Sequence, residues 1–379
     1  MTAEALFLYG TLRDARVYAA VAGEPLQGQP ARLEGHAVAE AVGDNGTGLG
    51  FPLFTPRAGA VAEGLIVTPS PDARARLDTY ERIFGYDPQP VRVETDAGTR
   101  DAVIYVPQAG RWQARGDWDL AAWSADRGAL AAEIATDVIL LARTHPPARI
   151  YERYRMLEAA ATSRHRALAE PAPATLRRAP AAQDVDLVER RLPYARYFGV
   201  DESDLRFRRF DGSQSETVTR AAFIMADAVT VLPYDPVRDT VMLVEQFRFG
   251  PLVRGAQNCW SLEPIAGRID AHESPETAAR RESLEEARLT LAALHPCGRY
   301  YVSPGAVSEY MISYVGIADP PDTAQGVSGL EIEAEDIRAH VIPFERLMEL
   351  VESGEAETAP LVISAQWLAL NRARLRAQS

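Results

Sequence analysis

Between Gly267 and Leu289 the chain runs GRIDAHESPETAARRESLEEARL. The glycine is followed after five residues by Glu273, after seven more by Arg281-Glu282, and then by Glu285-Glu286. Ser274 supplies a hydroxyl N-cap and Pro275 the first helical position, so a helix is predicted to begin there. On that helix Glu282, Glu285 and Glu286 stand at i, i+3 and i+4 and share one face. A lone Glu-rich face is ordinarily a solvated one. Here a glycine loop and a capped helix start accompany it, and three crowded carboxylates repel unless a cation lies between them. Hard oxygen donors in that number suit Mg²⁺ or Mn²⁺, ions that also grip phosphate. Arg281, four residues before Glu285, is placed to hold that carboxylate.

This spacing resembles the Nudix box, the signature of hydrolases that act on nucleoside diphosphates linked to another moiety. Two positions depart from it. Ser283 stands where an apolar residue is usual, and Arg288 replaces the glycine that normally closes the helix, so the helix end is expected to be reshaped. Neither departure removes a carboxylate.

From about Val185 onward the resemblance narrows to the ADP-ribose diphosphatase branch. It is carried by VLPYDPVRDTVMLVEQFR (231–248), WSLEPIAG (260–267), SPG (303–305) with Ser308-Glu309, and GLEIEAEDIRAHV (329–341). Pro304, fifteen residues beyond the box, matches the spacing that marks ADP-ribose enzymes. The resemblance implies Glu282 and Glu286 as metal ligands, Glu285 as a third ligand or catalytic carboxylate, and the carbonyl of Ala266 as a further ligand. A base must still activate water. Glu333 and Glu335 match the acidic loop that supplies it, Glu333 being favoured. Arg220, Arg248, Glu263 and Glu309 match positions near substrate. RLPYARYFGV (191–200) resembles an arm that pairs subunits, which implies a homodimer through the Nudix domain. The expected reaction is Mg²⁺-dependent hydrolysis of ADP-ribose to AMP and ribose 5-phosphate. The alternatives are another nucleoside diphosphate sugar such as GDP-mannose, or a ligand-sensing protein with an inactive Nudix domain.

Near the start, LFLYGTLR (6–13) puts Tyr9, Gly10, Thr11 and Leu12 at a strand end. With LDTYERIFGYDP (77–88) and the strand holding Tyr105, it resembles the γ-glutamylcyclotransferase/AIG2-like family. That family is a small β-barrel whose turn N–H groups bind an anionic substrate end. Glu81 falls on its acid/base glutamate, and one carboxylate is enough to move a proton from attacking to leaving amine. Arg82 replaces the glycine that follows it.

Composition narrows the chemistry further. All forty basic residues are arginine, which excludes Schiff-base, P-loop and general-base lysines, and leaves anions to arginine, backbone N–H groups or metal. A net charge of −13 argues against non-specific nucleic-acid binding. No apolar run of membrane-spanning length and no basic leader occur, and two cysteines are too few for a disulfide framework, so a cytoplasmic protein with a small-molecule substrate is expected.

The elements that must hold these residues read as α+β in two domains: an AIG2-like β-barrel with helices, then a Nudix α/β/α sandwich with a mixed sheet. The expected division is 1–115 for the barrel, 116–183 for a helical extension and Pro/Ala-rich linker, and 184–379 for the Nudix domain. Short strands are predicted at Ala5–Tyr9, Gly64–Val67, Val91–Thr95 and Ala102–Val106. One helix is predicted over 119–143 and a second through Ile150, Tyr154, Leu157 and Ala161. Apolar runs at 222–232 and 240–247 read as two strands, and a last helix near Ser364–Arg374 closes the domain.

Overall fold

The structure is a computed structural model that describes residues 4–43, 46–108, 110–320, 327–328 and 336–378. The chain divides into two compact units, Met1–Arg220 and Ala221–Ser379. Among the described residues no helix is long and apolar enough to cross a membrane.

The first unit holds strands β1 (Leu6–Leu8), β2 (Gly28–Val42), β3 (Gly48–Val67), β4 (Tyr86–Thr95), β5 (Gly98–Pro107) and β6 (Gln113–Arg115). They lie in the order β3-β1-β5-β4-β2-β6, and β3 also pairs with β2, so five strands close into a barrel with β6 on its flank. Alternation along β1 sends Phe7 and Tyr9 into one core with Ile66, Val93 and Ile104, while Leu6 and Leu8 pack with the helices. Those helices are α1 (Ala15–Ala22), α2 (Pro71–Ile83), α3 (Leu120–Asp126), α4 (Gly128–Ala142), α5 (Pro147–Glu152) and α6 (Tyr154–Ala169). Helix α2 begins as its residues dictate: the Ala73 N–H donates to Ser70 Oγ at 3.2 Å and Pro71 follows the cap. The helix expected over 119–143 is two, broken at Arg127-Gly128, where glycine is the weakest helix former of the run. The next is also two, parted at the buried Arg153, whose guanidinium donates to the Arg196 carbonyl. Strands β7 (Val185–Ala195), β8 (Gly199–Phe207) and β9 (Val218–Ile224) form a separate sheet in that order.

In the second unit β10 (Ala228–Asp235) is central and buried throughout, as a near-continuous apolar run between two covered faces should be. It pairs in parallel with β15 (Tyr310–Ile317) and antiparallel with β11 (Thr240–Phe247) and β13 (Ile265–Arg268). Outside these lie β12 (Trp260–Glu263) on β11, β14 (Ala293–Tyr301) on β15, and β16 (Val327–Ser328) with β17 (Ile337–Pro343). Val229, Val231, Met242 and Val244 face α8 (Pro275–Ala287), which contributes Ala278, Ala279 and Ala287 to that core. Leu232, Tyr234, Val241 and Leu243 face α9 (Phe344–Ser353) and α10 (Ala359–Arg376). Helix α7 (Phe249–Arg254) is short and follows β11. The unit is therefore an α/β/α sandwich around a mixed sheet. The apolar run at 222–232 is not one strand: β9 ends at Ile224 and β10 starts at Ala228, because Met225 turns to bond Ser308 Oγ through its N–H (2.9 Å) and its carbonyl (3.1 Å).

Candidate active sites

Helix α8 starts where its cap residues place it, with the Thr277 N–H donating to Ser274 Oγ at 3.1 Å. Arg281, at its midpoint, is the hub of the face. Nε donates to Glu273 Oε1 at 3.0 Å and Nη2 to Glu273 Oε2 at 2.9 Å, a bidentate grip. Nη1 donates to Glu282 at 2.7 Å and to Glu285 at 3.0 Å, and Nη2 also reaches the Arg268 carbonyl at 3.0 Å. Its pKa is held above the ordinary arginine value, chiefly by the Glu273 hydrogen bonds, with further contributions from Glu282 and Glu285. Arg281 thus binds the loop, the end of β13 and two helix carboxylates into one network.

Glu286 is buried at 5% exposure, while the Glu282 and Glu285 side chains are 13% and 38% exposed. Glu282 lies directly against Gly267 of β13, where any Cβ would collide with its carboxylate. The first glycine of the motif therefore exists to let an acid approach the strand. Ala266, one residue earlier, pairs with Thr230 of β10. The donors Glu282, Glu285, Glu286 and the Ala266 carbonyl are all hard oxygens, a set that fits a divalent cation. Among the described residues no three acidic, His or Cys side chains already converge on one point as a closed cage.

The two departures from the motif have local explanations. Ser283 is fully buried, but its hydroxyl donates to the Ala279 carbonyl at 2.8 Å, so no polar group is stranded. Arg288 takes the left-handed conformation itself, with φ 55°. The Arg288 N–H reaches the Leu284 carbonyl at 3.0 Å and the Leu289 N–H reaches that of Ser283 at 2.9 Å, the closure a glycine would make. The expected reshaping does not occur; a non-glycine residue bears the strain instead.

Arg248 and Glu263 form a bidentate pair at 2.9 and 2.6 Å. Glu309 is near: burial raises its pKa, the charges of Arg248 and Arg268 oppose that rise, and Asp227 adds to it. Arg268 and Asp227, which motif reading passes over, thus join this group, and only folding brings them there. Pro304 is exposed in a turn in which the N–H groups of Ala306 and Val307 both donate to the Ser303 carbonyl, at 2.9 and 3.0 Å. Arg220, the last residue of the first unit, is exposed and donates to the Thr219 carbonyl at 2.9 Å. Glu333 and Glu335 lie outside the described residues.

In the first unit Tyr9 and Leu12 are buried on either side of the turn that carries Gly10 and Thr11. Glu81, on α2, has its pKa raised to about 8 by burial. Its charge is felt by the phenols of Tyr9, Tyr80, Tyr86 and Tyr105, so all four lie within electrostatic reach of it. Tyr105 donates to Asp78 at 2.6 Å, which is itself paired with Arg74 at 3.0 Å. Tyr9, Glu81 and Tyr105 are therefore brought together. Tyr80 and Tyr86 join them and carry no motif signal beyond their closeness to Glu81 in sequence.

Comparison with known proteins places both parts of the chain in families. Residues 6–120 match the family described as gamma-glutamyl cyclotransferase, AIG2-like, and residues 225–364 match the NUDIX domain. An ADP-ribose pyrophosphatase of Escherichia coli (strain K12) is 42% identical over 171 residues, covering 45% of this chain and 81% of that protein. The ADP-ribose pyrophosphatase of Haemophilus influenzae is 38% identical, covering 45% and 79%. A GDP-mannose pyrophosphatase of Salmonella paratyphi B is 32% identical over 149 residues, covering 39% and 76%. The box, its Arg281 network and these relatives together make the chain a Nudix pyrophosphatase, a hydrolase of nucleoside diphosphate derivatives that belongs with the ADP-ribose pyrophosphatases and carries a gamma-glutamyl cyclotransferase, AIG2-like domain ahead of it.

Proposed function

We propose that the Nudix domain hydrolyses ADP-ribose to AMP and ribose 5-phosphate with Mg²⁺, Mn²⁺ being a substitute. The observation that carries this reading is the Arg281 network, which holds Glu282 and Glu285 in fixed positions on a helix face whose third acid, Glu286, is buried. Glu282, Glu286, Glu285 and the Ala266 carbonyl would hold the cation, which supplies charge neutralisation on the diphosphate when bound. Arg281 keeps the acids apart and oriented, so little reorganisation is needed on binding. Arg248 exchanges part of its pairing with Glu263 for a phosphate oxygen, and Glu309 and Arg220 are placed at the substrate's edge. Pro304 shapes the turn beside them. Glu333 takes the proton from the attacking water, with Glu335 the next choice. The functional Nudix domain runs from 184 to 379 and acts as a cytoplasmic homodimer paired through the 191–200 arm; the barrel spans 1–115, with the helical extension and linker at 116–183. Likeness to GDP-mannose pyrophosphatases supports one competing substrate class. Metal affinity and turnover of Glu286→Gln test the reading: both should fall severely, and intact turnover would reject it.

The barrel we read as a γ-glutamyl cyclotransferase. The substrate's neutral α-amine attacks the γ-carbonyl carbon, forming the ring C–N bond of 5-oxoproline and breaking the bond to the leaving amine. Glu81, as carboxylate, takes the proton from the attacking nitrogen and delivers it to the departing one. N–H groups of the Tyr9–Leu12 turn receive the anionic end. Release of 5-oxoproline from γ-glutamyl compounds by residues 1–220, abolished in Glu81→Gln, is the expected result. Ligand binding without product would make the barrel a sensing module instead.

A further inference from the structure

Arg111 takes no part in the chemistry above, yet it stands beside it. It lies between β5 and β6, half-buried, with its guanidinium 4.7 Å from the ring centre of Trp112 and 4.9 Å from that of Tyr151. The segment is anchored where the Gln108 N–H donates to the Gly85 carbonyl at 3.2 Å and the Arg111 N–H to that of Gln108 at 3.3 Å. Gly85 has φ +77° and leaves its Cβ position to the guanidinium; any side chain there would collide with it. Among the described residues this guanidinium has no carboxylate and no hydrogen-bond acceptor. Two aromatic rings thus stack on a cation whose edge N–H donors lack an anion, although partly desolvated cations are costly when left so.

Its neighbours lead back to the catalytic group. The Trp112 ring is 5.7 Å from Tyr86 and 5.0 Å from Phe51. Phe51 adjoins Pro52, which lies against Gly10 so closely that a Cβ there would stand 3.0 Å from Pro52 Cγ. The Tyr86 phenol feels Glu81 and Arg111 with opposite effect. The Tyr9 phenol feels Glu81 and Tyr86. Glu81 and Arg111 thus act on the same phenol, Tyr86, Arg111 fills the space beside Gly85 just past the end of the helix that carries Glu81, and the contacts of Trp112, Phe51 and Pro52 run from Arg111 to Gly10 of the turn. A substrate whose glutamyl end sits on the turn and whose scissile bond sits at Glu81 would extend its leaving amine towards Arg111.

We propose that Arg111 binds a carboxylate carried by the leaving amine, so that the barrel selects γ-glutamyl amino acids and peptides over γ-glutamyl alkylamines. This rests on the cyclotransferase reading and leaves its bond changes as written. Stacking on Trp112 and Tyr151 fixes the guanidinium plane, which suits bidentate capture of a carboxylate. The backbone turn alone offers no such discrimination at the amine end.

The test uses the full chain bearing Glu81→Gln, so that ligands are bound without turnover, and titration calorimetry with γ-glutamyl-glycine and γ-glutamyl-methylamine. The dipeptide should bind roughly 10- to 100-fold more tightly, the range of a charge-assisted hydrogen-bonded pair. Adding Arg111→Met should erase that preference, and Arg111→Lys should keep part of it, with circular dichroism verifying the fold of each. Equal affinity of the two ligands, or a preference that survives Arg111→Met, overturns the role of Arg111 while leaving the γ-glutamyl reading in place. Binding of neither ligand overturns both.

Discussion

Replacing Glu81 by glutamine should change the stability of the first unit in a pH-dependent way. Burial raises the Glu81 pKa from 4.5 to about 8, because the protein around it solvates a carboxylate less well than water does. At about 1.4 kcal/mol per pH unit, that interval sets an upper bound of ~5 kcal/mol. The side chain keeps some contact with solvent, so we expect on the order of 2–3 kcal/mol. The sign follows from which form folding favours. The folded state prefers the protonated acid, so its contribution is fully present below pH 4.5 and is lost as pH rises through 8. Glutamine cannot ionise and suffers no such loss. Urea unfolding of residues 1–220 should therefore give nearly equal midpoints for the two proteins at pH 4.5. At pH 9 the Glu81→Gln protein should be the more stable by that amount. A difference that stays flat between pH 4.5 and 9 would show that Glu81 ionises as an ordinary carboxyl and would refute the buried acid/base argument.

Arg288→Gly should stabilise the second unit by about 1 kcal/mol, since a left-handed non-glycine residue is relieved; unfolding in urea measures it, and a loss of stability would mean that the arginine side chain compensates for its backbone. Glu333→Gln should lower kcat by roughly 10²–10⁴ while leaving Mg²⁺ affinity nearly unchanged, as a lost general base would; full activity would transfer the role to Glu335. Sedimentation of residues 184–379 should give a dimer, and a fully active monomer would contradict pairing through the 191–200 arm.

The local geometry of the box was more legible than the loops and long strands around it. The box glutamates and their capped helix follow from spacing alone, because 3.6 residues per turn forces i, i+3 and i+4 onto one face. Arg281's reach to Glu285 is equally local. Its bidentate hold on Glu273 and its bond to the Arg268 carbonyl depend on how the loop folds back, which no periodicity encodes. Strand β1 and the strand over 240–247 were readable as compact apolar runs. The long pair β2 and β3 was not, since Gly, Pro, Arg and Glu interrupt it and its bulges break the alternation. The break at Arg127-Gly128 hides inside an apolar period that continues across it. The 184 boundary rests on the linker's composition, whereas compactness divides the chain after Arg220. Arg111 was invisible for a plainer reason: an arginine in a loop carries no signal until Trp112, Tyr151 and Gly85 are seen around it.

Steady-state kinetics of the full chain against a panel of nucleoside diphosphate derivatives decides the substrate of the Nudix domain. With Mg²⁺ present, ADP-ribose should give the highest kcat/KM and yield AMP and ribose 5-phosphate. A chelator should abolish turnover, and Mg²⁺ should restore it. A panel in which GDP-mannose or another nucleotide sugar clearly outpaces ADP-ribose would reject ADP-ribose as the substrate, and a rate untouched by the chelator would reject the metal.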